Sequence, residues 1–340
     1  RLIKMHTPLP SYLDVIAIPA SWIYGKIVGV RNRHYDKDKN IKEVPLPVIA
    51  VGNLTVGGTG KTPLVTWIVR LLREHGYNPA IVMRGYAAID PEFADEAVEY
   101  REKIKNIDVI IGGDRFAQID AYIKDGGKAD CLVMDDGFQH RKLHRDLDIV
   151  VLDFLRNVFD QRMLPAGWLR EPINGLKRAD AIVVSHAQRS DPTFADAVKQ
   201  VTGSEPIAWT AHHWELFHVI DRDGQREEPL GWLTGKSVAV RLGIGSPQPV
   251  IEALVRLGAK VATQLPAGDH QPFSNTELSM LSETSSNVDA VVMTHKDWVK
   301  AKDVVDLEKI QCPVVIPKLV LDVIEGGKKL DSLLLSVFDI

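Results

Sequence analysis

Gly57, Gly58, Gly60, Lys61 and Thr62 fall within the stretch Val48-Ile-Ala-Val-Gly-Asn-Leu-Thr-Val-Gly-Gly-Thr-Gly-Lys-Thr-Pro63. An apolar run, a glycine-rich turn and a helix start follow one another there, the order a nucleoside triphosphate site needs. The glycines let backbone N–H groups close around phosphate oxygens, Lys61 can reach the β- and γ-phosphates, and the Thr62 hydroxyl can be offered to Mg2+. Pro63 suits the first turn of the following helix. The strict pattern G-x-x-x-x-G-K-[ST] has glycine where this chain has Thr55, so the first turn must be built differently. Thr55, Val56, Gly57, Gly58, Thr59, Gly60, Lys61 and Thr62 together form the candidate phosphate cradle.

A nucleotide site also needs an acid that holds or orients Mg2+. Cys131-Leu-Val-Met-Asp-Asp-Gly-Phe-Gln-His-Arg141 places Asp135 and Asp136 at the end of an apolar strand, a Walker-B arrangement. Carboxylates also end strands as plain turn formers, and it is the preceding phosphate loop that favours the metal reading. Gln139, His140 and Arg141 follow at the carboxyl edge of the sheet, where ligands bind in open α/β folds.

The elements that must position these groups are legible as apolar runs. Val48 to Val51, Ala80 to Met83, Val109 to Ile111, Leu132 to Met134, Ile149 to Leu152 and Ala181 to Val184 alternate with helical stretches such as Leu64 to His75 and Arg115 to Ile123. That alternation predicts an α/β fold, a P-loop NTPase-like, mostly parallel sheet with helices on both faces. Near residues 206–235 the texture changes to two short strands with a turn at Asp223-Gly224. Beyond it, Val238 to Val240, Val261, Ala290 to Met293 and Val314 to Ile316 suggest a smaller C-terminal α/β domain. The expected division is an N-terminal helical segment 1–40, a P-loop core 41–205, a linker 206–235 and a smaller domain 236–340.

At 340 residues with 45% hydrophobic side chains, the chain can bury a substantial core. Its net charge of −4 gives no global bias toward nucleic acid, so an anionic ligand must be met by a local patch. Cys131 and Cys312 are too few for a disulfide framework and lack metal-ligand spacing, which fits a reducing compartment. The N-terminus departs from the soluble average, with Tyr12, Leu13, Val15, Ile16, Ile18, Trp22, Ile23, Tyr24, Ile27 and Val28 crowded together. Its uncharged run between Asp14 and Lys26 is too short to span a bilayer, and Pro19 interrupts it. Lys26, Arg31, Arg33, Lys37 and Lys39 follow the apolar run, whereas a secretory signal has its basic residues first. An aromatic, amphipathic helix followed by basic charge fits lying on an anionic membrane face; packing on the protein core is the other reading.

At this point the sequence resembles the tetraacyldisaccharide 4′-kinases of lipid A biosynthesis. The resemblance runs over nearly the whole chain, through Pro-Ala-Ser-Trp-Ile-Tyr-Gly at 19–25, the phosphate loop at 51–63, Arg-Gly-Tyr at 84–86 and Asp-Asp-Gly-Phe-Gln-His-Arg at 135–141. It continues in Leu-Pro-Ala-Gly-Trp-Leu-Arg-Glu-Pro at 164–172, Leu-Lys-Arg-Ala-Asp at 176–180, Gly-Ile-Gly-Ser-Pro at 243–247 and Asp-His at 269–270. Thr55 is what this family usually has. The resemblance implies transfer of the ATP γ-phosphoryl group to the 4′-hydroxyl of a lipid A disaccharide 1-phosphate precursor, by a peripheral protein on the cytoplasmic face of a bacterial inner membrane. It implies ATP and Mg2+ as cofactors, a two-stranded linker between the domains, and no obligate protein partner.

By the same resemblance the acidic base maps onto Asp95, its histidine partner onto His270, and a metal-associated glutamate onto Glu171, with Thr62 and Asp135 at the Mg2+ site. Asp136, Gln139 and His140 would lie near nucleotide or acceptor. A sugar hydroxyl is too weak an acid to ionise freely at neutral pH, so a carboxylate that accepts its proton suits the reaction. The chain departs from the family pattern at Ala87, at Ala94 before Asp95, at Arg241-Leu before Gly-Ile-Gly, and at His295 in Thr-His-Lys-Asp.

Two other classes compete. A partitioning or septum-site type ATPase switch carries a similar loop, but with lysine where this chain has Val56. A catalytically silent, membrane-bound relative serving as a scaffold would share every motif and lack the transfer activity. A GTP-dependent switch is disfavoured because no Asn-Lys-x-Asp guanine motif is present.

Overall fold

The computed structural model describes residues 8, 10–37, 41–85, 95–244, 247–267 and 273–338. They form two compact units, residues 1–212 with 321–340 and residues 213–320. The first unit is built on seven parallel strands, β1 (Val48–Gly52), β2 (Pro79–Met83), β3 (Val109–Ile111), β4 (Cys131–Asp135), β5 (Leu147–Asp153), β6 (Ala181–Ser185) and the start of β7 (Ala208–Asp221). Their order across the sheet is β7-β6-β5-β1-β4-β2-β3.

Each of these strands except the edge strand β3 and the long β7 is buried along its whole length, which explains apolar runs rather than alternation. Alternation reappears in what the side chains touch. Ile49, Val51, Ile81 and Val133 face Leu64, Ile68 and Leu72 of α2 (Lys61–Glu74). Val48, Ala50, Val82 and Leu132 face Ile119 of α4 (Arg115–Lys124), so the period of two divides the core between the two faces. Tyr100 and Ala97 of α3 (Asp95–Lys103) join the α2 side. On the other side of β1, Val150, Leu152, Ile182 and Val184 meet Phe194 and Val198 of α5 (Pro192–Thr202).

The N-terminal helix α1 (Asp14–Lys37) continues through Pro19. It buries only Ala17, Ser21 and Val28. The Ser21 hydroxyl donates to the Met163 carbonyl at 2.9 Å and accepts from the Ala166 N–H at 3.0 Å, fixing the helix to the loop that carries Glu171. Val15, Ile16, Trp22, Ile23 and Ile27 remain exposed, so core packing does not account for its large apolar side chains. No described helix is long and apolar enough to cross a membrane.

The second unit has parallel strands β9 (Ser237–Arg241), β10 (Lys260–Leu265), β11 (Ala290–Met293) and β12 (Val314–Glu325) in the order β10-β9-β11-β12. Helices α6 (Gln248–Arg256), α7 (Asn275–Ser285) and α8 (His295–Ala301) alternate with them. The Asp223-Gly224 turn closes a hairpin between β7 and β8 (Gly224–Glu228) inside this unit. The chain passes between units within β7 and again within β12. Residues from Leu321 onward therefore belong to the first unit, not to a domain 236–340. The physical reason is α9 (Gly327–Leu335), whose Leu330 and Leu334, with Val337 beyond it, are buried in the α2 core cluster.

Candidate active site

The phosphate loop leaves the end of β1 and enters α2. Gly52 has no room for a side chain, because a Cβ there would lie 2.5 Å from Phe138 Cβ and 2.7 Å from its backbone nitrogen. This close approach brings the turn after β4 against the loop. Thr55 needs no glycine because its backbone is extended and bridged to Leu169, with the Arg170 N–H donating to the Leu54 carbonyl at 2.8 Å and the Val56 N–H to the Trp168 carbonyl at 2.9 Å. The loop then turns through Gly57 (φ 101°) and Gly60 (φ 81°), conformations a side chain would strain. Asn53 Nδ2 donates to Thr59 Oγ1 at 2.9 Å and Ser185 Oγ to the Thr59 carbonyl at 2.7 Å, holding the loop from both sides.

Lys61, Asp135 and Asp136 meet at the carboxyl ends of β1 and β4. Lys61 Nζ is 3.5 Å from Asp136 Oδ1. Arg170 Nη1 donates to both Asp136 oxygens, at 2.8 and 3.1 Å. Burial alone would raise the Asp136 pKa, but Lys61 and Arg170 outweigh it and hold the carboxyl below its usual range. Asp135 is raised by burial despite the opposing charge of Lys61. One of its oxygens accepts from the Tyr100 hydroxyl at 2.9 Å and the other from the Asp136 N–H at 2.8 Å. Burial and Asp135 raise the pKa of Tyr100, and the nearby Thr62 side chain pulls it the other way. Thr62 and Asp135 thus both act on one phenol. Arg115, 3% exposed, donates to the carbonyls of Asp135 and Asp136 and fixes the turn.

Glu171 is fully buried, and it anchors a second set of contacts. Arg178 Nη2 and Asn32 Nδ2 donate to its Oε2 at 2.8 and 3.1 Å, and Gln139 Nε2 donates to its Oε1 at 2.9 Å. Gln139 Nε2 also reaches the Asn53 carbonyl at 2.7 Å, joining Glu171 to the phosphate loop. Asn53 Oδ1 and Gln139 Oε1 are buried with no hydrogen-bond partner among the described residues, leaving two acceptors beside the loop. His140 is held neutral, its pKa pushed down to about 4 by burial and by Arg115 and Arg145.

Glu96 is a site residue with no role in the sequence reading. It is exposed in the first turn of α3, where partial withdrawal from water, then Asp135 and Asp136, raise its carboxyl to about 7. Arg170, Arg115, Tyr100, Asn32 and Arg178 were likewise without roles. Arg170 and Arg178 sit in quoted motifs, whereas only the packing of α3 and α1 brings Tyr100 and Asn32 to the site. Asp95 opens α3, but its side chain is outside the described atoms, and His270 lies outside the described residues. Among the described residues no group of three His, Cys, Asp or Glu side chains is arranged to hold a metal.

The chain as a whole is similar to known proteins. Residues 13–339 match the family model described as Tetraacyldisaccharide-1-P 4′-kinase. The tetraacyldisaccharide 4′-kinase of Syntrophus aciditrophicus is 33% identical over 91% of this chain and 88% of its own length. That of Halorhodospira halophila is 36% identical over 86% of this chain and 85% of its own. The crystal structure of LpxK from Aquifex aeolicus in complex with ATP has 28% identity and a TM-score of 0.70, covering 94% of this chain and 98% of that one. The match runs through phosphate loop, strand-end carboxylates and second unit alike, and the chain belongs to the tetraacyldisaccharide 4′-kinase family.

Proposed function

We propose that this kinase transfers the γ-phosphoryl group of ATP to the 4′-hydroxyl of a tetraacyldisaccharide 1-phosphate lipid A precursor, with Asp95 and His270 acting on the acceptor. The observation that carries the reading is the convergence of Lys61 with Asp135 and Asp136 beside the glycine-rich loop. Phosphoryl transfer asks mainly for positioning and charge stabilisation, and these groups supply both. The acceptor oxygen forms a bond to the γ-phosphorus, the bond to the β,γ-bridging oxygen breaks, ADP leaves, and the hydroxyl proton passes to Asp95.

Thr62 and Asp135 would hold Mg2+, which supplies charge neutralisation between the β- and γ-phosphates. Tyr100, which donates to Asp135 and whose ionisation Thr62 also influences, supports that pairing. Glu171 would join them by giving up one of its present donors. Lys61 carries the charge that faces the β- and γ-phosphates, and Asp136, Gln139 and His140 border the site. For Asp95 the support is its place at the start of α3, the helix that Tyr100 ties to Asp135.

The acceptor is a lipid, and α1 offers a surface for its membrane. Trp22 is 73% and Ile23 62% exposed, and Trp22, Gly25, Gly29 and Val30 line a groove flanked by Lys26 and Arg33. Apolar insertion beside basic charge suits peripheral binding to the anionic cytoplasmic leaflet of the inner membrane. The test is incubation with radiolabelled ATP, Mg2+ and the dephospho-disaccharide lipid in mixed micelles. Label in the lipid fraction supports the reading; ATP binding with no transfer under any micelle condition would leave a silent scaffold instead.

A further inference from the structure

Tyr100 ends in a hydroxyl that its packing does not need. Ala97 and Tyr100 of α3, with Ile104 just past its end, make the i, i+3, i+7 stripe of a core-facing helix. The Tyr100 ring is fully buried in the cluster that holds Leu64, Ile68 and Ile81. A phenylalanine would fill the same space. The oxygen needs its own account, since a buried hydroxyl costs stability unless it is bonded. It donates to Asp135 Oδ2 at 2.9 Å, at the end of β4.

The two carboxylates at that strand end are held differently. Asp136 is met by cations, Lys61 at 3.5 Å and Arg170 at 2.8 Å. The donors on Asp135 are neutral: the Tyr100 hydroxyl on Oδ2 and the Asp136 N–H, at 2.8 Å, on Oδ1. One donor on each oxygen fixes the plane of the carboxylate and leaves each oxygen a second lone pair. A phenol does this without cancelling the charge, which an ammonium or guanidinium in the same place would do. Asp135 is therefore the acid oriented for a cation, and Asp136 the acid already paired with its own. Carboxylates that bind metals are characteristically held by such outer hydrogen bonds, and losing one weakens metal binding roughly ten- to a hundredfold.

We propose that Tyr100 is a positioning residue for the Mg2+ site, its hydroxyl holding the Asp135 carboxylate in the orientation that accepts the metal. This rests on the reading of Asp135 as a Mg2+ ligand. The competing role is purely structural, a phenol that satisfies a buried acid and stabilises the fold. The two roles differ in what Mg2+ senses.

The experiment measures ATP binding to the full-length protein by calorimetry, without lipid, across a series of Mg2+ concentrations and in EDTA. Tyr100→Phe removes one oxygen and keeps the ring in the core. Melting curves set a temperature at which every variant is folded, and ATP affinity in EDTA checks that the phosphate loop is intact. Tyr100→Phe should raise the Mg2+ concentration that gives half of the metal's effect about tenfold, with metal-free ATP affinity unchanged. Asp135→Asn should raise it at least as much, and adding Tyr100→Phe to Asp135→Asn should raise it no further, because the phenol acts through that carboxylate. A folded Tyr100→Phe protein with the wild-type Mg2+ requirement would leave the phenol a structural role only and overturn the proposal. So would a tenfold shift that persists in the Asp135→Asn background, which would have Tyr100 act elsewhere. An Asp135→Asn protein with an unchanged Mg2+ requirement would instead remove Asp135 from the metal site, and the positioning role with it.

Discussion

Lys61 and Asp136 share an ion pair of 3.5 Å across the mouth of the phosphate loop, and Arg170 grips the same carboxylate. If Lys61 serves the γ-phosphate, an entering phosphate would compete with Asp136 for it. Lys61→Ala should lower phosphoryl transfer about a hundredfold or more, through loss of charge stabilisation rather than of core packing. Initial rates at saturating ATP, with a melting curve, check this. Near-normal turnover would remove Lys61 from the reaction.

His140 and Glu96 give pH dependences of opposite sign. His140 titrates near 4 in the folded chain, below the unfolded value of about 6.5, so the unfolded state binds more protons between those values. Its contribution is complete above about pH 6.5 and is lost as pH falls toward 4. Glu96 is raised to about 7, so its contribution is complete below the unfolded value near 4.5 and is lost as pH rises through 7. In urea titrations, His140→Asn should flatten the acidic fall in stability, and Glu96→Gln should flatten the decline from pH 4.5 to 7. Parallel profiles for either variant and wild type would refute that residue's assignment.

The strands and the phosphate loop were legible because their signals are local: apolar runs for buried parallel strands, glycines before Lys61 for the turn. Asp135 and Asp136 stand out by a signal of the same local kind, paired carboxylates ending an apolar run, whereas Glu171 is singled out by the family resemblance alone. Tyr100 and Asn32 were not legible, since each reaches its carboxylate partner across 35 and 139 residues of sequence. The return of α9 to the first core was equally hidden, because Leu330 and Leu334 show an apolar helix face without showing which core it covers. Glu96 sits beside the family's Asp95 position in an acidic segment that reads as solvated, and its raised pKa depends on the folded positions of Asp135 and Asp136.

The exposed face of α1 predicts membrane binding of two separable kinds. Replacing Trp22 and Ile23 with Ser should release the protein from anionic vesicles, since burying each large apolar side chain contributes about 1.5–3 kcal/mol. What binding remains should depend on Lys26, Arg31 and Arg33 and should fall with added salt. Co-sedimentation indifferent to both changes would deny α1 a membrane role. The same variant should keep its melting temperature, because both side chains are more than 60% exposed.

Asp95 and His270 are expected to act as one unit on the acceptor hydroxyl, because the reaction must remove a proton as the new P–O bond forms. Asp95→Ala should lower kcat strongly with little change in ATP affinity. Adding His270→Ala should then cost far less than the product of the two single losses, the signature of groups that share a function. Saturating lipid and a full pH profile are needed, so that weak acceptor binding or a displaced base pKa is not taken for lost proton transfer. Glu96 makes the comparison sharper: with its carboxyl near 7 it is a neighbouring acceptor that could take over in Asp95→Ala. If it does, Asp95→Ala/Glu96→Gln should abolish the residual rate. Multiplicative losses for Asp95 and His270 would reject the pair, and a nearly normal kcat for Asp95→Ala that disappears on adding Glu96→Gln would move the base to Glu96.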